Sequence, residues 1–244
     1  MEYSSNKQFN TIAAISDIHS NVFALKAVLA DIRHRDIDQI VNLGDILYGP
    51  IAPKATYELL TKYQDDIITI RGNQDRQIYE ATTVEMKSNS TLAFIAKDLP
   101  EMAIRWMQNL PFDYHLNEDI YLCHGSPADD MIYLLENIET GQPMLRNNTD
   151  ILASLKGIDS PVIVCGHTHI PRTVMLSTGQ IVLIQVALDI PPIKMIYQSC
   201  IKCRLIRPMP VTLLLNVLKT NKVNIGKLST LECLTIMKQR LNWL

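Results

Sequence analysis

The chain has 244 residues, 47% of them hydrophobic and 20% charged, with a formal net charge of −2. That profile excludes disorder, collagen and coiled coil as descriptions of the whole, does not favour an electrostatic nucleic-acid binder, and fits one large domain or a small pair. Residues 1–10 lack the pattern of a signal peptide, no apolar stretch reaches the ~18 residues of a membrane span, and five cysteines without framework spacing fit a reducing cytoplasm, so a cytoplasmic protein with no membrane partner is expected.

From Thr11 to Ile184 short β-branched or apolar runs alternate with helical patterns, which predicts an α/β layered domain. Thr11–Ser16 reads as a strand and leads into Ser16-Asp17-Ile18-His19. Behind Asn21 as N-cap, Val22, Leu25, Leu29 and Ile32 recur at helical spacing. The strand Gln39–Leu43 ends in Gly44-Asp45, and Pro53 opens a second helix through Lys62. Ile67–Arg71 runs into Gly72-Asn73-Gln74-Asp75, and Pro100 opens a third helix through Asn109. Ile120–Cys123 meets His124-Gly125, and Pro161–Cys165 meets Gly166-His167-Thr168-His169. Arg172–Leu176 and Gln180–Ile184 flank a Ser-Thr-Gly turn and read as a hairpin.

The residues at the strand ends carry the chemistry. Loops that follow the carboxyl ends of strands converge on one crevice in an open α/β sheet. Singly, each motif has a bland reading: Gly-Asp is an ordinary turn, and Asp-x-His or His-x-His a solvated pair. Five motifs in order, holding four of the six histidines, point instead to a shared cation site. Asp75 either orients Gln74 or a water, or caps a turn. Asn21 either faces a phosphate or caps its helix, and Arg172 either meets a phosphate oxygen or lies exposed on the hairpin. His34 and His115 read as solvated or helix-end residues. Cys200-x-x-Cys203 lacks a second ligand pair and is not read as a metal or redox site.

The series Asp-x-His, Gly-Asp, Gly-Asn-x-Asp, His-Gly, Gly-His-x-His resembles the calcineurin-like metallophosphoesterase superfamily over residues 11–184. The wording SDIHSN, GNQD and HGSP is most similar to its small bacterial and archaeal phosphodiesterases. The resemblance implies a four-layer α/β/β/α sandwich with two divalent metal ions. Asp17, His19, Asp45 and His169 would hold the first; Asn73, which also binds substrate, His124 and His167 would hold the second, with Asp45 bridging. Manganese is expected first, with iron, zinc, nickel or magnesium as alternatives. Two such ions generate a hydroxide nucleophile at neutral pH and clamp an in-line phosphoryl displacement. Many members carry His where this chain has Gln74. An amide donates a hydrogen bond but releases no proton, which points to small diesters or activated monoesters as substrates. The family also contains phosphoprotein phosphatases, dinucleoside polyphosphate hydrolases and a non-enzymatic retromer scaffold; the complete ligand set argues against a scaffold. Oligomeric state leaves no mark in the sequence.

The near-neutral charge hides a break. Residues 1–184 hold 23 acids and 14 bases, whereas residues 185–244 hold only Asp189 and Glu232 against nine bases. Family members continue from the last hairpin strand into text like Asn-Pro-Gly-Ser-Val-Gly, but here Gln185-Val186-Ala187-Leu188 follows. Moving the reading frame back by one base lets Leu183 to Gln198 read NPGSVGYPAYKDDLP, and Ile206 to Leu214 read SPHARYAI. Residues 185–244 are therefore expected to be an out-of-frame translation appended to a metallophosphoesterase domain at 1–184; a lineage-specific basic tail is the alternative. The closing strands of the sheet would then be missing and one edge left open. Sequencing the gene across codons 180–190 is expected to reveal the slip; an uninterrupted frame in independent isolates overturns it.

Overall fold

In the computed structural model, which describes Phe9, residues 11–188 and residues 217–219, period-two alternation of apolar residues builds the layers. In β1 (Thr11–Ile15), Ile12 and Ala14 face one side and Ala13 and Ile15 the other, and all four are buried. A strand buried on both faces has to lie between two layers. β2 (Gln39–Asn42) and β3 (Ile67–Thr69) extend this sheet in parallel, in the order β1-β2-β3. Between them lie α1 (Val22–Ile32) and α2 (Pro53–Thr61), and after β3 come α3 (Asn73–Glu80), α4 (Thr83–Ser88), α5 (Ser90–Asp98) and α6 (Glu101–Gln108). Leu25 and Leu29 of α1, Leu60 of α2, Ile95 of α5 and Met107 of α6 join Ala13 and Ile15 in the core on the outer face of this sheet.

The second sheet has the order β4-β5-β8-β10-β9. Its strands β5 (Ile120–Cys123), β8 (Val162–Cys165) and β10 (Ile181–Ile184) are parallel, flanked by antiparallel β4 (Asp113–His115) and β9 (Arg172–Met175). A small hairpin, β6 (Glu136–Asn137) with β7 (Met144–Leu145), and α7 (Asn148–Ser154) precede β8. Ile120, Leu122, Val164, Ile181 and Leu183 meet Ile12, Ala14, Val41 and Leu43 between the two sheets. The alternate residues Tyr121, Cys123, Ile163, Cys165, Val182 and Ile184 pack outward with Ile151 of α7. Helices, sheet, sheet and helix make the expected four-layer α/β/β/α sandwich.

The differences from expectation are local. β3 ends at Thr69: the Ile70 amide still donates to the β2 carbonyl of Asn42, but the Arg71 amide turns away to the Pro111 carbonyl. The Gly-Asn-x-Asp motif is itself the start of α3, with Gly72 as N-cap. β4, α4, α5, α7 and the β6/β7 hairpin are short and carry weak periodic signals. Asn21 caps α1 by accepting from the Ala24 amide at 3.1 Å.

Beyond Ile184 the backbone stays tied to the domain through Leu188. The Gln185 amide donates to Cys165, Ala187 bridges Ser16, and the Leu188 amide donates to the Ser16 and Asp17 carbonyls. One further strand, β11 (Val217–Lys219), pairs antiparallel along β1, with Thr11 opposite Lys219, so the β1 edge of the first sheet is paired there and not open as expected. The rest of the 185–244 segment, with the expected frame slip, the missing closing strands and Cys200-x-x-Cys203, lies outside the described residues. Among the described residues no helix is long and apolar enough to cross a membrane.

Leu122 is buried between the sheets, so Leu122→Ala is expected to lower the unfolding free energy by about 2–5 kcal/mol in a denaturant titration. Met175→Ala, at an exposed position, is expected to change it by less than about 0.5 kcal/mol.

Candidate metal centre

The five motifs meet where the parallel strands of both sheets end. Among the described residues, six that are not glycine have positive φ: Asp17 (50°), His19 (46°), Ser20 (61°), Asp45 (54°), His167 (70°) and His169 (57°). Five of these are candidate ligands. Left-handed backbone costs a side-chain-bearing residue roughly 1–2 kcal/mol and persists only where its surroundings enforce it.

Here the enforcement is a set of backbone bonds between the loops. The Asp17 amide donates to the Gly44 carbonyl, His19 to Asp45 and Ser20 to Ile46, at 3.0, 3.0 and 2.9 Å. Gly44, at φ +97°, lies so close to Gly72 that a Cβ would collide with the Gly72 amide; a Cβ on Gly72 would strike the Asp45 carboxylate. Asp75 completes the tie. Its Oδ1 accepts from the Ile46 and Leu47 amides at 2.8 and 3.3 Å, and its Oδ2 from the Gly72 amide at 2.9 Å. Burial and the nearby Asp45 raise the Asp75 carboxyl to about 6.

Two groups of ligand-type side chains result: Asp17, His19 and His169, and Asp45, His124 and His167, the ligand atoms of each lying within 4.8 Å of one another. In the first, Nε2 of His19 and Nε2 of His169 stand 3.3 Å apart, and His169 Nε2 is 3.2 Å from Asp17 Oδ1. In the second, His124 Nε2 is 3.0 Å from Asn73 Oδ1 and 3.3 Å from Asp45 Oδ2. The same Asp45 Oδ2 lies 3.9 Å from His19 Nε2, so one carboxylate oxygen stands between the groups. Its other oxygen accepts from the Gln74 amide at 2.8 Å.

The other ring nitrogens show which atoms are available. Nδ1 of His19 faces the Tyr48 carbonyl at 3.0 Å, Nδ1 of His124 the Leu43 carbonyl at 2.7 Å, and Nε2 of His167 the Met131 carbonyl at 3.1 Å. A carbonyl only accepts, so each of these nitrogens carries the proton. The opposite ring nitrogen of each is then the one left for the site, as in metal-ligating histidines, and on His124 Asp45 and Asp17 stabilise a proton there that a cation would displace. Asp17 is buried, its Oδ2 accepting from Ser16 Oγ at 2.6 Å and the His167 amide at 3.1 Å, while Oδ1 has no hydrogen-bond partner. An orphaned carboxylate oxygen among imidazole nitrogens fits a cation.

The charges agree. Burial pushes the Asp17 carboxyl up, but His169, His124 and Ser16 outweigh it and hold the group below the ordinary carboxylate range. Burial pushes His124 down, but Asp45 and Asp17 raise it to about 10. Burial and the neighbouring His124 lower His167.

All seven predicted metal ligands, Asp17, His19, Asp45, Asn73, His124, His167 and His169, thus come together. The remaining candidates do not share that setting. Both oxygens of Asp75 accept from backbone amides, so it acts as a tie between loops. Asn21 caps α1 through Oδ1 and donates one Nδ2 hydrogen to the Leu188 carbonyl at 3.3 Å. Arg172 donates from Nε to buried Glu136 at 2.7 Å rather than lying as a lone exposed charge. Gln74 is half-buried in the first turn of α3. Sequence reading missed the carbonyls of Leu43, Tyr48 and Met131, which carry no side-chain signal, and Ser16, which stood inside the first motif.

The profile of the calcineurin-like phosphoesterase superfamily domain matches residues 11–185. An uncharacterised protein of Methanocaldococcus jannaschii is 26% identical over 166 residues, covering 66% of this chain and 63% of its own length. A metallophosphoesterase from Sphaerobacter thermophilus superposes with a TM-score of 0.57 at 24% identity, covering 73% of this chain and 77% of that one. A hypothetical protein from Pyrococcus horikoshii gives a TM-score of 0.64 at 17% identity, over 75% and 78%. At these identities the structural likeness concerns the fold.

A cation ligated by His124 Nε2 has to displace the proton that Asp45 and Asp17 stabilise there. Affinity for Mn²⁺ is therefore expected to rise from about pH 6 to about pH 9, with protons released on binding. Calorimetry in two buffers of different ionisation enthalpy measures this; heats independent of buffer would remove His124 from the ligand set.

Proposed function

The chain belongs to the calcineurin-like phosphoesterase superfamily, and on that premise we propose that it hydrolyses phosphodiesters with the help of two divalent cations. Asp17, His19, Asp45 and His169 hold one; Asp45, Asn73, His124 and His167 hold the other. The observation that carries this reading is Asp45 Oδ2, at 3.9 Å from His19 Nε2 and 3.3 Å from His124 Nε2, placed to be shared. When bound, the pair supplies Lewis acidity: it lowers the pKa of water and neutralises phosphate charge. Manganese is the proposed metal, on a mixed carboxylate, amide and imidazole set, with iron, zinc, nickel or magnesium as substitutes. The proposed setting is the cytoplasm and the substrate a small phosphate ester.

The protein's own residues contribute position and leaving-group control. Backbone bonds between the loops fix the carboxylates before substrate arrives, so little reorganisation is needed during reaction. Gln74 follows the ligand Asn73 on α3, and its backbone amide holds Asp45. Its side-chain amide can steady a departing oxygen by a hydrogen bond but cannot protonate it. This favours diesters and activated monoesters over alkyl monoesters.

The purified chain with Mn²⁺ is expected to hydrolyse bis(4-nitrophenyl) phosphate faster than 4-nitrophenyl phosphate. Asp45→Asn should lower kcat/KM on the order of 10³-fold, since charge stabilisation by the cations is worth several kcal/mol. Gln74→His should raise turnover on poor leaving groups by up to ~10²-fold. Absence of turnover with any of the metals would favour a scaffold or a chain inactivated by its altered C-terminal segment, and an unchanged leaving-group dependence in Gln74→His would remove Gln74 from that side of the site.

A further inference from the structure

A second cluster of charges lies beside the centre and is not used by the proposed chemistry. Arg71 and Arg76 flank the ligand Asn73, one just before the N-cap of α3 and the other within the helix. Both converge on Asp130: Arg71 Nη1 donates to Oδ2 at 2.8 Å, and Arg76 grips the carboxylate twice, from Nε to Oδ2 at 3.1 Å and from Nη2 to Oδ1 at 2.7 Å. The Asp130 side chain is 4% exposed, whereas Arg71 and Arg76 are 20% and 32% exposed, so the carboxylate is shielded while the guanidiniums stay within reach of water and salt. The Arg71 guanidinium also lies over the Phe112 ring at 5.1 Å.

Asp130 belongs to a short folded loop after His124. The Ser126 amide and hydroxyl donate to the Asp129 carbonyl at 2.9 and 3.0 Å, and the Met131 amide donates to Asp129 Oδ1 at 2.8 Å. Gly125 runs so close beneath that a Cβ would meet the Asp130 and Ile132 carbonyls. The residue after Asp130 is Met131, whose carbonyl takes the Nε2 proton of His167 at 3.1 Å, and the Tyr133 ring stands 4.6 Å from the same imidazole.

We propose that Asp130 is a positioning residue: pinned by Arg71 and Arg76, it holds the Met131 carbonyl against His167 and so keeps the Nδ1 lone pair of His167 aimed at the second cation. The arginines ride with Asn73 and the carbonyl with His167, so the triad sets the spacing between two ligands that come from different sheets. This rests on the two-cation reading and predicts an effect confined to one cation. Partners that orient ligating histidines contribute about 10–100-fold in metal affinity.

The test uses the full chain as wild type, Asp130→Asn and Arg76→Met, the last leaving Arg71 on Asp130 should Asp130→Asn fail to fold. Two-site Mn²⁺ titrations are expected to show one affinity weakened 10–100-fold and the other unchanged. In chelator-treated protein, long-range ¹H–¹⁵N spectra are expected to show His167 protonated on Nε2 in wild type and shifted towards Nδ1 in the variants. Asp130→Glu should restore part of both effects. Equal losses at both cations, or an unaltered His167 tautomer in the variants, would overturn the proposal. A wild type that binds fewer than two cations, with the tautomer shift intact, would overturn the two-cation reading and uphold the positioning role.

Discussion

Everything at the centre depends on the chain holding left-handed backbone at Asp17, His19, Asp45, His167 and His169. Asp and His enter that conformation more readily than most side-chain-bearing residues, but still meet a Cβ cost in it. The strain is shared out among the bonds that run from the β1 loop to the β2 loop, and from the β2 loop through Asp75 to Gly72. A few kcal/mol of local cost is thus carried by two sandwiched sheets, whose buried side chains do not permit the strand ends to drift. The glycines have a complementary role. Gly72 leaves room for the Asp45 carboxylate, and Gly44 both adopts positive φ and leaves room for Gly72.

The electrostatic design follows from this rigidity. Buried carboxylates and imidazoles at 3–4 Å would ordinarily settle into ion pairs with neighbours on every side. Asp45 and His124 do so, but Asp17 Oδ1 has no hydrogen-bond partner, two imidazole nitrogens face each other at 3.3 Å, and one ring nitrogen each of His19, His124 and His167 faces a main-chain carbonyl. Polar atoms aimed at a common point, with their other contacts already satisfied, are what a cation requires and what a folded core normally avoids.

Most of this was legible from residue types and order. The layers follow from period-two alternation: Ile12, Leu122 and Leu183 point between the sheets, while Ala13, Cys123 and Ile184 point outward. The ligands stood in motifs at strand ends, where parallel sheets converge. What escaped is what side-chain identity does not encode. Carbonyls of Leu43, Tyr48 and Met131 act through the backbone, so any residue could have stood there. Asp75 had two chemically sound uses and packing made it a tie between loops, while Arg172 took a partner, Glu136, that neither of its two readings named; α4 and α7 were too short to impose a pattern.

The first group of ligands has a further consequence, in the order of synthesis. His19 and His169 are 150 residues apart, and Asn21, two residues on, gives a hydrogen bond to Leu188, 167 residues downstream of it. At roughly 5–20 residues per second, the ribosome needs on the order of ten seconds between making one partner and the other. Asp45, Asn73 and His124 emerge well before either late histidine, so the nascent chain presents a partial ligand set first. The ligand set cannot be completed before the loop after β8, with His167 and His169, has been delivered. Metal capture is thereby coupled to the arrival of residues 165–188, the segment at whose far end the charge character of the chain changes.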